Sequence, residues 1–343
     1  MGRVRTALAL TIAALAAACA SAPEEEERLA VEVYLHNAQG YVDGGHHDQA
    51  LAQFRQALKV DPGNRKALLG EAFSLLYLGQ EENPSAGARI LEAAERIDRL
   101  SPDAYGENGW KVLLGQGMVH ARLADLWERK AELRRQEPDS PDGRKETDEA
   151  RANRDRERAE AERAFREVLR QEEPLARDNL TALFYLATAS ALRARAPADY
   201  DAALGYFRRY EVQVERSKRL WVESAKRDPE MKAAYEAKLH GAERQEIELR
   251  DLVANVHFKR RDHEASVGEL NRILALDPDR ATAYLNRGRN QEELGRFGAA
   301  ADDYNKFLRL TDLPPDSPAV VEAAERMKAC EDRVRDRLNG EKP

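Results

Sequence analysis

The chain is 343 residues long and carries 55 lysines and arginines against 62 aspartates and glutamates, for a formal net charge of -7. Acid and base alternate along its length, which excludes the concentrated basic face that binding to a nucleic-acid backbone requires. Aromatic residues are only 6% and the two cysteines cannot build a disulfide framework, so a helical protein held by packing alone is expected, with essentially no β-sheet.

Residues 1–18 read as a signal peptide. Met1 to Arg5 carries two arginines and no acid, and the apolar run from Ala7 to Ala18 then ends at Cys19. The run is far shorter than the roughly 20 residues a permanent membrane helix needs. Leu15-Ala16-Ala17-Ala18-Cys19 resembles the lipobox of bacterial lipoproteins, with Ala16 where leucine is usual and Leu15 one place earlier. The resemblance implies that Cys19 receives a diacylglyceryl group and becomes the mature N-terminus, anchoring the chain to a membrane. Losing Arg3 and Arg5 with the signal takes the net charge from -7 to -9. Ala20 and Ser21 lack the aspartate that retains some lipoproteins at an inner membrane, so the periplasmic side of an outer membrane is the expected address. The small residues also suit an ordinary signal peptidase cutting after Ala18, Ala20 or Ala22, and the product would then be a soluble secreted module, with Cys19 free to pair with Cys330.

Residues 19–27 form an acidic lead-in. Ser21, Pro23 and Glu24 read as a helix start, and Glu24 to Glu27 either complement the dipole of that helix or keep the segment a solvated tether. Residues 28–104 then hold two helix pairs. From 31 to 64 the chain places Ala38 and Ala50 where two antiparallel helices must approach closely, Tyr34, Tyr41, Phe54 and Ala57 beside them, Gly44-Gly45 at the inner turn and Pro62 after the second helix. A looser copy from 65 to 104 carries Leu68, Ala72, Leu75, Leu91, Ala94, Ile97 and Pro102.

Residues 105–178 depart from this spacing. They read as two longer helices, 108–136 and 143–172, separated by the breakers from Pro138 to Gly143. Between Lys145 and Arg158 almost every residue is charged, and apolar spacing returns only at Ala161, Ala164, Phe165, Val168 and Leu169. That charged half is expected to project into solvent, or to serve as a docking arm, supported by pairs such as Arg158 with Glu162. Residues 179–246 restore a helix pair through Ala187, Ala191, Ala203, Phe207 and Tyr210, with long helices running through Lys226 and from Glu230 to about Lys259.

Residues 247–314 are the most regular, first through Val253, Ala254, Leu270, Ile273 and Pro278, then through Tyr284, Gly288, Leu294, Gly295, Ala300, Tyr304 and Phe307. Within 315–343, the amphipathic segment from Pro318 to about Leu338 caps the last pair, with Cys330 as a small packed residue. The offsets at 31–64 and 281–314 match one another, and the pattern resembles the tetratricopeptide repeat (TPR) family. The resemblance implies an all-α, TPR-like α-solenoid of antiparallel helix pairs, with longer irregular helices in the middle and a C-terminal capping helix. It further implies a binding scaffold rather than an enzyme. Together with the lipobox it points to a protein or peptide partner in envelope assembly, secretion or cell-wall maintenance, the remaining alternative being an enzyme or small-ligand binder that uses the irregular middle, residues 105–245.

In that family the inner helix of each pair lines the binding groove, which here points to Asp251, Asn255, Phe258 and Lys259, and to Thr282, Leu285, Asn286, Arg289, Glu292 and Glu293. Asn255 and Asn286 match the two asparagines of the family's carboxylate clamp. Asp251 stands where that clamp has a lysine, so an intact clamp is not expected. Two amides that both donate and accept can hold an extended peptide backbone, or they can simply stay solvated. The candidate partner-binding set is Asn255, Phe258, Lys259, Leu285, Asn286 and Arg289.

No cofactor, metal or catalytic constellation is expected. Gly115-Gln116-Gly117 lacks the third glycine of a phosphate loop and sits in a helical pattern. His36, His46, His47 and Asp48 are close in sequence and could gather around a metal, but a closed zinc site needs four convergent ligands and His46-His47 occupies a turn that in these repeats commonly carries polar residues. His120, His240, His257 and His263 are scattered over separate helices.

Overall fold

In the computed structural model the described residues are 25–79, 85–135, 141–172 and 179–340. Cys19, the signal segment and the lead-in as far as Glu24 lie outside them. Among the described residues there are thirteen α-helices, one short 3-10 helix and no strand. The chain divides into two units, residues 1–177 and 178–343. Each is an α-solenoid-type stack of consecutive helix hairpins.

The first unit contains α1 (25–43), α2 (His47–Val60), α3 (Arg65–Leu78), α4 (Ala86–Asp98), a 3-10 turn (Pro102–Asn108), α5 (Gly109–Arg135) and α6 (Pro141–Arg170). The α1–α2 reversal follows from Gly45, whose φ of 76° lets its N–H reach the Val42 carbonyl and the His46 N–H reach that of Tyr41. Asn64 then starts α3 by accepting the Ala67 N–H at 3.1 Å. Ala38, Ala50, Ala57 and Ala67 are fully buried around Phe54. The Phe54 ring lies directly against the backbone at Gly70, where a Cβ would collide with it.

Charge also enters this interior. Glu71 of α3 is only 3% exposed, and Arg55 of α2 donates to it at 2.9 Å while also bonding Glu92 of α4 at 2.6 Å. The three helices are thus stitched by an arginine between two carboxylates.

The charged half of α6 keeps a solvated outer face, but it does not stand alone. α5 and α6 form a long antiparallel hairpin, and the buried positions Thr147, Ala150, Ala161, Phe165 and Val168 run the length of α6. Within the charged stretch, spacings of three and four keep the small residues inward while arginines flank the seam. Arg154 and Arg158 both reach Glu128, at 3.1 and 2.9 Å, Arg134 reaches Glu146 at 2.8 Å, and His120 meets Glu157 at 2.7 Å. Gly117 gives this hairpin its close contact, because a Cβ there would come within 2.8 Å of Phe165, and Gly115 does the same for α4, with Ile97 at 2.5 Å.

The second unit contains α7 (Leu180–Arg193), α8 (Pro197–Arg227), α9 (Lys232–Lys259), α10 (His263–Leu276), α11 (Ala281–Glu293), α12 (Phe297–Leu310) and α13 (Pro318–Gly340). Asn179 and Asp262 cap α7 and α10 by accepting the Ala182 and Ala265 N–H groups at 3.1 and 3.2 Å. Asp199, in the first turn of α8, reaches back to the Arg195 and Ala196 N–H groups, and those bonds hold its carboxyl below the ordinary range. Ala300, Tyr304 and Phe307 of α12 pack with Leu285 of α11 and with Ala323 and Cys330 of α13. The Tyr304 ring occupies the space that a Cβ at Gly288 would need, at 2.9 Å. Cys330 is fully buried, and burial first, then Glu292, pushes its thiol up.

The Gly45 turn geometry recurs twice in this unit, at Gly295 (φ 70°) and at Arg261 (φ 59°). A side chain in the left-handed region costs roughly 1–2 kcal/mol, part of which glycine returns through its freer unfolded state. Arg261→Gly should therefore stabilise this unit by about 0.5–1 kcal/mol, read as a melting temperature higher by roughly 2 °C. An unchanged or lower midpoint would mean that the Arg261 side chain supplies compensating stabilisation.

Candidate functional site

The last helix pairs enclose a cleft of about 350 Å³ between α9 and α11, floored by α10. Its walls carry Asp251, Leu252, Asn255 and Phe258 from α9, and Asn286 and Arg289 from α11. These positions recur at three or four residues, so each helix turns one continuous face to the opening.

The charged groups here are matched within the protein. Arg280 donates twice to Oδ2 of Asp251, at 3.0 and 2.6 Å. Burial pushes the Asp251 carboxyl up while Arg280 pulls it back, and its Oδ1 has no hydrogen-bond partner among the described residues. Arg289 makes a bidentate pair with Glu322 of α13, at 3.2 and 2.7 Å. Burial would raise the Glu322 carboxyl, but the bonds and charges of Arg289 and Arg326 outweigh it and hold it below the usual range.

The neutral groups are positioned from behind. Asn290 donates its Nδ2 to the Asn286 carbonyl at 2.8 Å and presents its Oδ1 to His263 Nδ1 at 3.1 Å, an arrangement that assigns the proton to Nδ1. The His263 ring meets Phe258 edge-on at 5.3 Å and fixes the face Phe258 turns to the cleft. Ser266 satisfies the Ala254 carbonyl at 2.8 Å. By contrast, the side-chain amides of Asn255 and Asn286 have no hydrogen bond within the protein among the described residues.

Four of the six residues singled out from the sequence therefore meet at one cleft: Asn255, Phe258, Asn286 and Arg289. Leu285 is a correction. It is 7% exposed and faces the core formed with Tyr304, Phe307 and Ala323, because the capping helix packs over that side of α11. Lys259 ends α9 as an exposed residue outside the cleft lining. Arg289 reaches the cleft already paired, since α13 supplies its carboxylate. Leu252, Ser266 and Asn290 were not foreseen. Asn290 could have been found, since it lies one helical turn beyond Asn286.

Among the described residues no cluster of three or more potential metal ligands is present, and no helix is long and apolar enough to cross a membrane. His47 instead stacks on Tyr77, with ring centroids 4.5 Å apart.

Residues 35–104 and 254–328 match models of the tetratricopeptide repeat. Both segments are similar to TPRs. Repeats of this kind are protein–protein interaction modules, and the cleft lining from Ala254 onward falls in the second matched segment, with Asp251 and Leu252 just before it. Comparison with curated proteins gives no match. Among solved structures, the chain is similar to the nuclear import adaptor Nro1 of S. pombe, at 13% identity over 87% of this chain and 95% of that one, with a TM-score of 0.44. It is also similar to a tetratricopeptide repeat protein of Parabacteroides merdae, at 15% identity over 88% and 99% of the two chains, with a TM-score of 0.35. A third is the TPR2AB domain of yeast Sti1, at 12% identity over 88% and 98%, with a TM-score of 0.25.

Proposed function

We propose that this protein is a lipid-anchored interaction scaffold of the bacterial cell envelope, facing the periplasm, whose α9–α11 cleft holds an extended segment of a partner protein. The observation that carries the reading is the contrast inside the cleft. Its charges are neutralised by Arg280 and Glu322, whereas the amides of Asn255 and Asn286 are unpaired beside the apolar surface of Leu252 and Phe258. Such a surface suits a neutral main chain, whose N–H and C=O groups pair with amides and whose side chain rests on the phenyl ring. No group in the cleft is arranged as a nucleophile and base, so binding is the activity proposed.

Asn255→Ala with Asn286→Ala tests the cleft. Each lost hydrogen bond is worth about 0.5–1.5 kcal/mol net, so affinity for peptides selected from an unstructured library should fall roughly tenfold or more, with the thermal melt unchanged. Equal affinity in the double variant would move the recognition surface elsewhere.

Cys19→Ser tests the anchor. Acyl chains contribute about 0.8 kcal/mol per buried methylene, so the parent should withstand a high-salt wash of the membrane fraction and the variant should be released or remain unprocessed. A processed variant that stays after the wash would refute lipid attachment. A parent recovered without membrane would make the protein a soluble secreted interaction module.

A further inference from the structure

Charge is interleaved along the sequence, but not on the surface of α8. Between Arg208 and Arg227 that helix carries seven basic residues and three acids in a chain whose net charge is -7. The three acids are engaged by cations. Glu211 accepts from Arg250 and Arg272, each at 2.9 Å, Glu215 lies 3.5 Å from Lys218, and Glu223 accepts from Lys226 at 2.9 Å. Lys218 itself turns inward to Glu246.

What remains on the outward side is a stripe. Positions 208, 212, 216, 219, 223 and 227 follow one another at helical spacing, so they share a face roughly 30 Å long. Arg208, Arg216, Arg219 and Arg227 are exposed there, and Arg216 and Arg219 make no ion pair among the described residues. Three exposed apolar side chains accompany the arginines on this stretch, Val212 at 64%, Leu220 at 59% and Val222 at 40% exposure.

We propose that the outward face of α8 is a docking surface for an anionic lipid bilayer. Long basic side chains around isolated apolar ones are the composition of a helix lying in a headgroup region, where guanidinium groups meet phosphates and apolar residues dip below them. A plane of negative charge needs no shape complementarity. An acidic protein partner would need a packed apolar centre, and Val212 and Leu220 stand eight residues apart, about 12 Å along the helix, without apolar neighbours between them on the stripe. The inference goes beyond the scaffold reading and is independent of the cleft. With an acylated Cys19 it would lay the second unit against the membrane instead of leaving it on a loose tether.

The test is sedimentation of the mature chain from residue 19, with Cys19→Ser so that no acyl chain contributes, on vesicles of phosphatidylglycerol with phosphatidylcholine and on phosphatidylcholine alone. Binding is expected only to the anionic vesicles and should fall steeply with salt. Arg216→Glu with Arg219→Glu should lower the partition coefficient about tenfold or more with an unchanged thermal melt, while Arg216→Lys with Arg219→Lys should keep most of it. The Asn255→Ala, Asn286→Ala variant should bind these vesicles like the parent, so failure of the cleft reading and failure of this one are separable. No binding to anionic vesicles would overturn the proposal, as would equal binding by the glutamate variant. Tighter binding to soluble polyglutamate than to vesicles would overturn it in favour of an acidic protein partner.

Discussion

Arg250→Ala is expected to destabilise the second unit by about 3–5 kcal/mol, because it removes the guanidinium shared by three carboxylates and leaves them only Lys218 and Arg272. Arg250 is 4% exposed and bonds Glu246 at 2.9 and 2.7 Å, Glu211 at 2.9 Å and Glu269 at 2.6 Å. Its guanidinium also lies over the Phe207 ring, 5.4 Å from the centroid. Glu211 and Phe207 belong to α8, Glu246 to α9 and Glu269 to α10, so this one side chain joins the long helices to the repeats that follow. Urea unfolding of the second unit's transition is the measurement, and a loss under about 1 kcal/mol would mean that water compensates the carboxylates.

The same network sets a pH dependence. Burial would raise the Glu246 carboxyl, but the bonds and charges of Lys218 and Arg250 outweigh it and hold it below its usual value. A carboxyl with a lowered folded-state pKa contributes stability that is present above its unfolded value, near 4.5, and is lost as the pH falls through the folded one. Arg250→Ala should therefore show its largest deficit near neutral pH and a smaller one in acid.

These buried charges explain where sequence reading stopped. The repeats were legible because small and aromatic residues at fixed offsets leave little freedom: Ala38, Ala50, Gly288 and Tyr304 sit where their spacing requires them. The alternation of acid and base looked the same at Arg250, at Glu71 and on true surface, because helical spacing says which residues share a face but not whether another helix covers that face. Glu71 is reached by Arg55 from the preceding helix and Glu246 by Lys218 from α8, relations between distant positions that no local pattern carries. The cleft was half legible for the same reason. Asn255 and Asn286 stand at family positions, but the capping helix decides that Leu285 is core and that Arg289 is paired, and the pairing partner Glu322 lies beyond the last repeat. The outward stripe of α8 was hidden by counting charges along the chain instead of around the helix.

The α5–α6 hairpin yields the other large effect. Phe165→Ala should cost the first unit about 3–5 kcal/mol, since Phe165 is 1% exposed and its ring lies on the backbone of α5 at Gly117. The ion pairs of Arg154 and Arg158 with Glu128 are part-exposed and together contribute at most about 1–2 kcal/mol, so the aromatic contact and the buried small residues decide whether α6 stays docked. Hydrogen exchange separates this arrangement from an independently solvated arm. If the charged half is held by the seam, Phe165→Ala should raise exchange at 145–158 together with 161–170, because the helix loosens as a unit. If the charged half were held by its own helical pairs alone, its amides would exchange equally fast in parent and variant. Ala150→Glu should then be harmless, whereas at a position with no exposed surface it must either strand a carboxylate or force the helices apart.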